Sequence, residues 1–476
     1  LHGNHPLEPT DADMREMGRL VLDHIVDIVA TVADRPVDNT PTGAALRQLA
    51  DEFLAPPPET AGDLRQLLDR LDRASANAWE VSSPGFVAYV PSGGLFASTL
   101  GEFYARGLNR YGGVAFTSPG LTAVEESVVR WLACDVAGLP AGSGGLLTTG
   151  GSMANFSAVV TARETHLGDA IERGTMYVTR HTHRSVAKAA RMAGIRRQHI
   201  REVPTDDNLA MDVDRARAMI EADSRDGRRP FLIVGSAGTT DTGTIDPLAD
   251  IAAVAGEHGL WCHVDGAYGG LFGLTERGRD RLSGMALADS VTLDPHKSLF
   301  LPLGTGALLV RDPGLLYEAH EERGDYQQDH ISSEGLPDYA HLGPELSREI
   351  RGLRVWLPLH LYGVGAFRAE LDEKLDLAEL AYAKLSQVPS LELPWRPMLS
   401  TVTFRVRARG SGSTATAQAE EATRHILDRV LADGRFLLSS TWLEGRQAVR
   451  ICILANRTHA DHVTALIDLI TSVASE

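Results

Sequence analysis

The spacing of apolar positions changes several times along the 476-residue chain. Near the start they recur at helical intervals (Met14, Met17, Leu20, Val21, Ile25, Ile28), so the segment opening at Asp11 reads as an amphipathic helix with a single apolar stripe. Ala55-Pro-Pro-Pro-Glu59 breaks the chain before a second amphipathic stretch, Leu64 to Leu71. An arm this short holds no core of its own, and its stripe must dock on the rest of the chain or on a second copy.

From about Ser83 to Val310, short apolar runs alternate with Ala-rich helical stretches such as Ser185 to Gly194 and Asp250 to Gly259. The runs at 145–149, 175–179, 231–236, 260–265, 290–294 and 305–311 read as buried strands. This alternation predicts an α/β fold, a mostly parallel sheet flanked by helices on both faces, with ligands at the carboxyl ends of the strands. Residues 324–346 are polar and punctuated by Gly and Pro, which reads as a long loop. Leu353 to Gln387 is helical again. The last stretch mixes strands at 400–406 and 448–454 with helices at 414–431 and 459–473. The expected organisation is an N-terminal helical arm (1–83), a large domain (84–375) and a C-terminal small α+β domain (376–476).

Composition narrows the partners. Against 46 Lys and Arg stand 63 Asp and Glu, a net charge of −17, which makes nucleic acid and anionic membrane poor partners. Cys134, Cys262 and Cys452 are too few and scattered for a disulfide framework or a zinc cage, which suits a reducing cytoplasm. No apolar run approaches the roughly 20 residues of a membrane span. The start Leu1-His2-Gly3-Asn4 lacks the basic and apolar regions of a signal peptide. A cytoplasmic location is expected, and no metal site: His181-x-His183 alone, without a third ligand motif, is a weak metal signal.

Three strand ends carry candidate chemistry. Asp294-Pro-His296-Lys297 follows one run and places an amine nucleophile at the ligand-binding edge of the sheet, with His296 beside it. His263-Val-Asp265-Gly-Ala267-Tyr ends another with a carboxylate that needs either a cationic partner or a capping role. Thr148-Thr-Gly-Gly151-Ser152-Met-Ala-Asn joins a third run to a helix whose first N–H groups suit a phosphate. That turn has neither the dinucleotide GxGxxG pattern nor the GxxxxGK[ST] loop, which argues against NAD and ATP. A phosphate seat, a carboxylate and an amine are the parts that pyridoxal 5'-phosphate requires.

Thr-Gly-Gly-Ser152-Met-Ala-Asn, His181-Thr-His183-Arg-Ser-Val, Ser236-Ala-Gly-Thr-Thr240, His263-Val-Asp265-Gly-Ala-Tyr and Asp294-Pro-His-Lys297, in that order, resemble the motifs of the group II pyridoxal-phosphate decarboxylases. That family includes the aromatic-L-amino-acid and glutamate decarboxylases, and the likeness runs from about residue 15 to the C-terminus. The resemblance implies the type I fold of pyridoxal-phosphate enzymes and a homodimer with its site at the interface. It implies that Lys297 holds the cofactor aldehyde, Asp265 the ring N–H, and that His183 and Ala267 lie on opposite ring faces. Gly151, Ser152, Asp294 and His296 would surround the phosphate, Asp294 standing where the aromatic enzymes often carry Asn, and Thr240 would lie near the ring hydroxyl edge. Ser92 matches a substrate-contacting position, with Tyr89 and Phe116 in neighbouring pocket walls; Tyr326 falls where the family's catalytic loop carries its proton-donating tyrosine. Arg348, Arg351 and Arg354 either reach the phosphate from a neighbouring subunit or lie along a solvated helix face with packed stems. The implied reaction is decarboxylation of an L-amino acid, aromatic or bulky and apolar, to the primary amine. The alternatives are an aldehyde synthase, whose branch typically replaces the loop tyrosine by phenylalanine, and a cofactor-binding homologue without catalysis.

Overall fold

A computed structural model describes residues 5, 7–321, 335–410 and 412–476. The six runs of the central region form strands β1 (Gly144–Thr148), β2 (Gly174–Thr179), β4 (Arg229–Ser236), β5 (Trp261–Gly266), β6 (Ser290–Leu293) and β7 (Gly306–Val310), with β3 (Ile200–Val203) as a seventh. Their spatial order is β1-β7-β6-β5-β4-β2-β3. Only β7 runs against its neighbours, pairing antiparallel with β1 and β6, so β1, β5 and β6 all end on the same edge. Every residue of β1, β2, β5, β6 and β7 is buried, which is why these strands read as continuous apolar runs rather than alternating ones. Successive side chains serve opposite faces: Leu146 and Leu308 join one core with Ala154, Ala158 and Val186, and Leu147 and Leu309 join the other with Ile251 and Val254. The helical stretches flank the sheet on both sides, and the α/β expectation holds.

A second sheet closes the C-terminal region, with β8 (Leu391–Glu392), β9 (Thr401–Val406), β10 (Ser439–Leu443) and β11 (Arg446–Cys452) in the antiparallel order β10-β11-β9-β8. The β10–β11 turn is the two residues Glu444 and Gly445 at φ 50° and 75°, the left-handed pair that a tight hairpin demands. The stretch expected to be helical from Leu353 is two helices, Leu353–Tyr362 and Val364–Leu385, divided at Gly363, whose φ of 75° a helix cannot contain. The N-terminal helices Asp11–Ala30, Gly43–Phe53 and Leu64–Ser75 have no buried residue at all, and Met14, Met17, Leu46, Leu67 and Leu71 stand exposed. No described helix is long and apolar enough to cross a membrane.

Candidate active site

The carboxyl ends of β1, β5 and β6 open onto a cavity of about 360 Å³ lined by Gly151, Ser152, Asn155, His183, Ser185, Thr240, Asp265, Ala267, Asp294, His296 and Lys297, among others. All nine residues expected around the cofactor are thus in one lining. The helix Gly151–Leu167 starts on Gly150, whose φ is 148°, and no side chain caps it. Among the described residues the N–H groups of Gly151 and Ser152 find no acceptor, an anion-ready end. The space is as tight as a cradle: a Cβ on Gly151 would stand 2.9 Å from Asp294 Oδ2 and 3.1 Å from the Ala267 Cβ.

Asp265 is buried, and each carboxylate oxygen accepts one hydrogen bond, from Ala267 N (3.2 Å) and from Asn155 Nδ2 (2.9 Å). Lys297 Nζ stands 3.0 Å from Asp294 Oδ2, and the other oxygen of that carboxylate is buried with no hydrogen-bond partner. Asp294 therefore serves the lysine in this arrangement. His296 Nδ1 donates to the carbonyl of Thr305 at 2.7 Å, and burial holds its imidazole below the ordinary histidine range, opposed by nearby Asp294. The N–H groups, the carboxylate and the amine converge on one concave space, and these are groups that fit pyridoxal phosphate.

Other expected residues lie elsewhere. Ser92 is buried and spends its hydroxyl on the Leu301 carbonyl at 2.7 Å, tying its loop to the segment that follows Lys297. Tyr89, at φ 51°, stacks on Trp79 with ring centroids 5.6 Å apart, its N–H and carbonyl held by Ser439 (3.1 Å) and Arg450 (2.9 Å). Phe116 is exposed. None of these three lines the cavity within one chain. Tyr326 lies outside the described residues. The three arginines are engaged within the chain: Arg348 with Glu125 and the Leu147 carbonyl, Arg351 with Glu345 at 2.7 and 2.8 Å, and Arg354 with Glu102 at 2.6 Å. His181 and His183 commit their Nδ1 atoms separately, to Asp241 (3.1 Å) and Ser185 (2.7 Å).

The sequence motifs and strand runs contain Asn155, Ser185, His263, Ser290 and Thr292 but suggest no role for them; they form a buried polar cluster behind Asp265. One signal was available: Asn155 interrupts a helix face otherwise made of Ala154, Ala158, Val159 and Ala162, and a buried amide there demands partners. His263 is fully enclosed, and burial pushes it down to about 4, with Asp265 pulling the other way. Below the ordinary value of 6.5 the unfolded chain takes up a proton that the folded protein refuses until about 4, so His263 removes stability as pH falls through that window. The loss has a limiting slope of about 1.4 kcal/mol per pH unit. His263→Gln keeps a donor toward Asn155 and cannot titrate. Urea melts from pH 7 to pH 4 are expected to show the variant gaining on wild type as the pH drops; a difference independent of pH would remove this role.

Residues 48–407 match the model of the pyridoxal-dependent decarboxylase conserved domain. The chain is 32% identical over 472 residues to the aromatic-L-amino-acid decarboxylase of Bacillus atrophaeus, covering 99% of this chain and 97% of that one. It is 30% identical to the phenylacetaldehyde synthase of Arabidopsis thaliana, covering 98% and 97%. Its fold is similar to that of a crystal structure of Oryza sativa TDC with PLP and tryptamine, with a TM-score of 0.92, 26% identity and 99% of each chain covered.

Proposed function

This chain belongs to the pyridoxal-dependent decarboxylase family, a carboxy-lyase that uses pyridoxal phosphate, and we propose that it converts an aromatic L-amino acid to its primary amine and CO₂. The observation that carries the reading is the single cavity in which Lys297, Asp265 and the open start of the helix Gly151–Leu167 meet. When bound, the cofactor supplies a carbonyl for an amine and a ring that accepts the electrons left behind by CO₂. Lys297 is the residue to hold that carbonyl, and Asp265 to keep the proton on the ring nitrogen. Gly151 and Ser152 are the residues to seat the phosphate, His183 and Ala267 to flank the ring, and Thr240 to meet its hydroxyl edge.

Two facts favour an aromatic substrate over an acidic one. Among the described residues the cavity lining includes no arginine to meet a distal carboxylate, and relatives across the full length are named for aromatic substrates. An aldehyde synthase remains the second reading, because one such relative matches at 30% identity. Tyr326 favours the simple decarboxylase. Incubation with each protein amino acid is expected to release CO₂ from an aromatic one, with amine in equal amount. Ammonia, peroxide and aldehyde measured in the same reaction test the alternative: aldehyde as the main product would overturn this reading.

We propose further that two copies associate through the N-terminal helices. Their support is the three helices without a buried residue, together with Phe103 and Tyr104 exposed on the helix Phe96–Leu108. Sedimentation is expected to give twice the chain mass, and a monomer at micromolar concentration would refute the pairing. A cytoplasmic setting is proposed too, supported by three cysteines that stand free.

A further inference from the structure

We propose that Asn155 is a positioning residue that fixes, through one amide, both the carboxylate of Asp265 and the proton of His183. Asn155 is fully buried on the helix Gly151–Leu167. Its Nδ2 donates to Asp265 Oδ2 and to Ser185 Oγ, each at 2.9 Å. Its Oδ1 accepts from His263 Nε2 at 3.0 Å and from Thr292 Oγ1 at 2.7 Å. Two donated and two accepted bonds exhaust what an amide can make. A carboxylate only accepts, so the amide nitrogen must face Asp265, and the oxygen must face His263.

That orientation propagates. His263 must donate from Nε2, so its Nδ1 accepts from Ser290 Oγ at 2.7 Å, and Ser290 in turn accepts from Trp261 Nε1 at 2.8 Å. On the other side Ser185 Oγ receives the amide proton and gives its own to His183 Nδ1 at 2.7 Å, where the Ser185 N–H also arrives at 3.3 Å. His183 Nδ1 is therefore an acceptor, and the ring proton resides on Nε2, which has no partner among the described residues and belongs to a cavity-lining side chain. From Trp261 to His183 every proton has one place. The residues assigned to the cofactor ring nitrogen and to its face are thus oriented by the same side chain, and the cavity receives a hydrogen-bond donor from His183 rather than an acceptor.

The inference rests on the decarboxylase reading, so its test begins with cofactor binding by the stripped wild-type chain. Asn155→Asp keeps the shape but sets a carboxylate against a carboxylate; Asn155→Ser, which is smaller, guards against loss of folding, monitored by thermal melts. Ser185→Ala cuts only the branch to His183. Both Asn155 variants are expected to bind the cofactor at least about tenfold more weakly and to shift the pH at which its visible absorption band titrates. Ser185→Ala is expected to keep the wild-type absorption midpoint and to move the pH profile of kcat/KM. Folded Asn155 variants with wild-type affinity and absorption titration would overturn the positioning role. A wild-type chain that takes up no cofactor would instead overturn the family reading.

Discussion

Exchanging Lys297 for alanine is expected to lower turnover at least about 10³-fold, the upper end of what one well-placed group contributes, and to abolish the borohydride-trapped bond between protein and cofactor. The lysine follows β6 in the short helix Pro295–Ser298, at the sheet edge where the carboxyl ends of β1 and β5 also arrive. Its amine is held 3.0 Å from Asp294 Oδ2, so the substitution also leaves a buried carboxylate without its counter-ion. Lys297→Arg separates the two consequences. A guanidinium preserves a positive charge for Asp294 and restores the melting temperature, yet it is no nucleophile toward a carbonyl, and activity should stay as low as in the alanine variant. CO₂ release from the best substrate, measured beside trapping, checks both variants. Turnover within about tenfold of wild type in either one would end the assignment of this residue.

The strand ends that bring these groups together were legible because buried parallel strands need unbroken apolar runs, and Phe231-Leu-Ile-Val and Ser290-Val-Thr-Leu are runs of that length and β-branched character. The strands that escaped notice are edges or hairpin members. In β3, Ile200-Arg-Glu-Val, only Val203 is buried, and in β10, Ser439-Ser-Thr-Trp-Leu, the exposed Trp442 faces away from the small-domain core. Edge strands carry polar residues because one rim has no neighbour, and the sequence signal fades with it. The division of residues 353–387 into two helices turned on one glycine, a positive φ that the periodicity of the flanking apolar positions does not register. The nine residues expected around the cofactor, all of which line the cavity, were legible through motifs that resemble those of a known family, each motif close to a strand end. Asn155 stood at the end of one of those motifs without a role: its partners Ser185, His263, Asp265 and Thr292 come from three other segments, and nothing along the helix that carries it announces them. The arginines of 348–354 read either as reaching a phosphate from a neighbouring subunit or as lying along a solvated helix face. Arg348 and Arg351 are buried, which removes the solvated face for those two, and within the chain Arg348 meets Glu125, Arg351 meets Glu345 and Arg354 meets Glu102.

Asp265→Ala is expected to cost about 10²–10³-fold in kcat, roughly 3–4 kcal/mol, with the lysine–cofactor bond still trapped by borohydride in full stoichiometry. The reasoning is electrostatic. The carboxylate that departs as CO₂ leaves its bonding electron pair on the substrate carbon, and a bound cofactor whose ring nitrogen kept its proton would accept that charge far better than one with a neutral ring. Asp265 is buried at the end of β5, where a carboxylate acts through few intervening waters, and both its oxygens are already aimed by Ala267 N–H and Asn155 Nδ2. Removing it also strands the Asn155 amide, a buried donor whose loss of a charged acceptor costs about 1.5–3 kcal/mol in its own right. Asp265→Asn separates these effects. It can offer its one oxygen to Asn155 and so keep that buried amide satisfied, at the loss of the bond from Ala267 N–H, yet it brings no negative charge to the ring nitrogen. The asparagine variant should therefore melt closer to wild type than the alanine variant does while its kcat stays near the alanine value. Should asparagine restore turnover to within about tenfold of wild type, Asp265 would be reduced to an acceptor for the Asn155 amide, and the proton on the ring would have to be held by something other than this carboxylate.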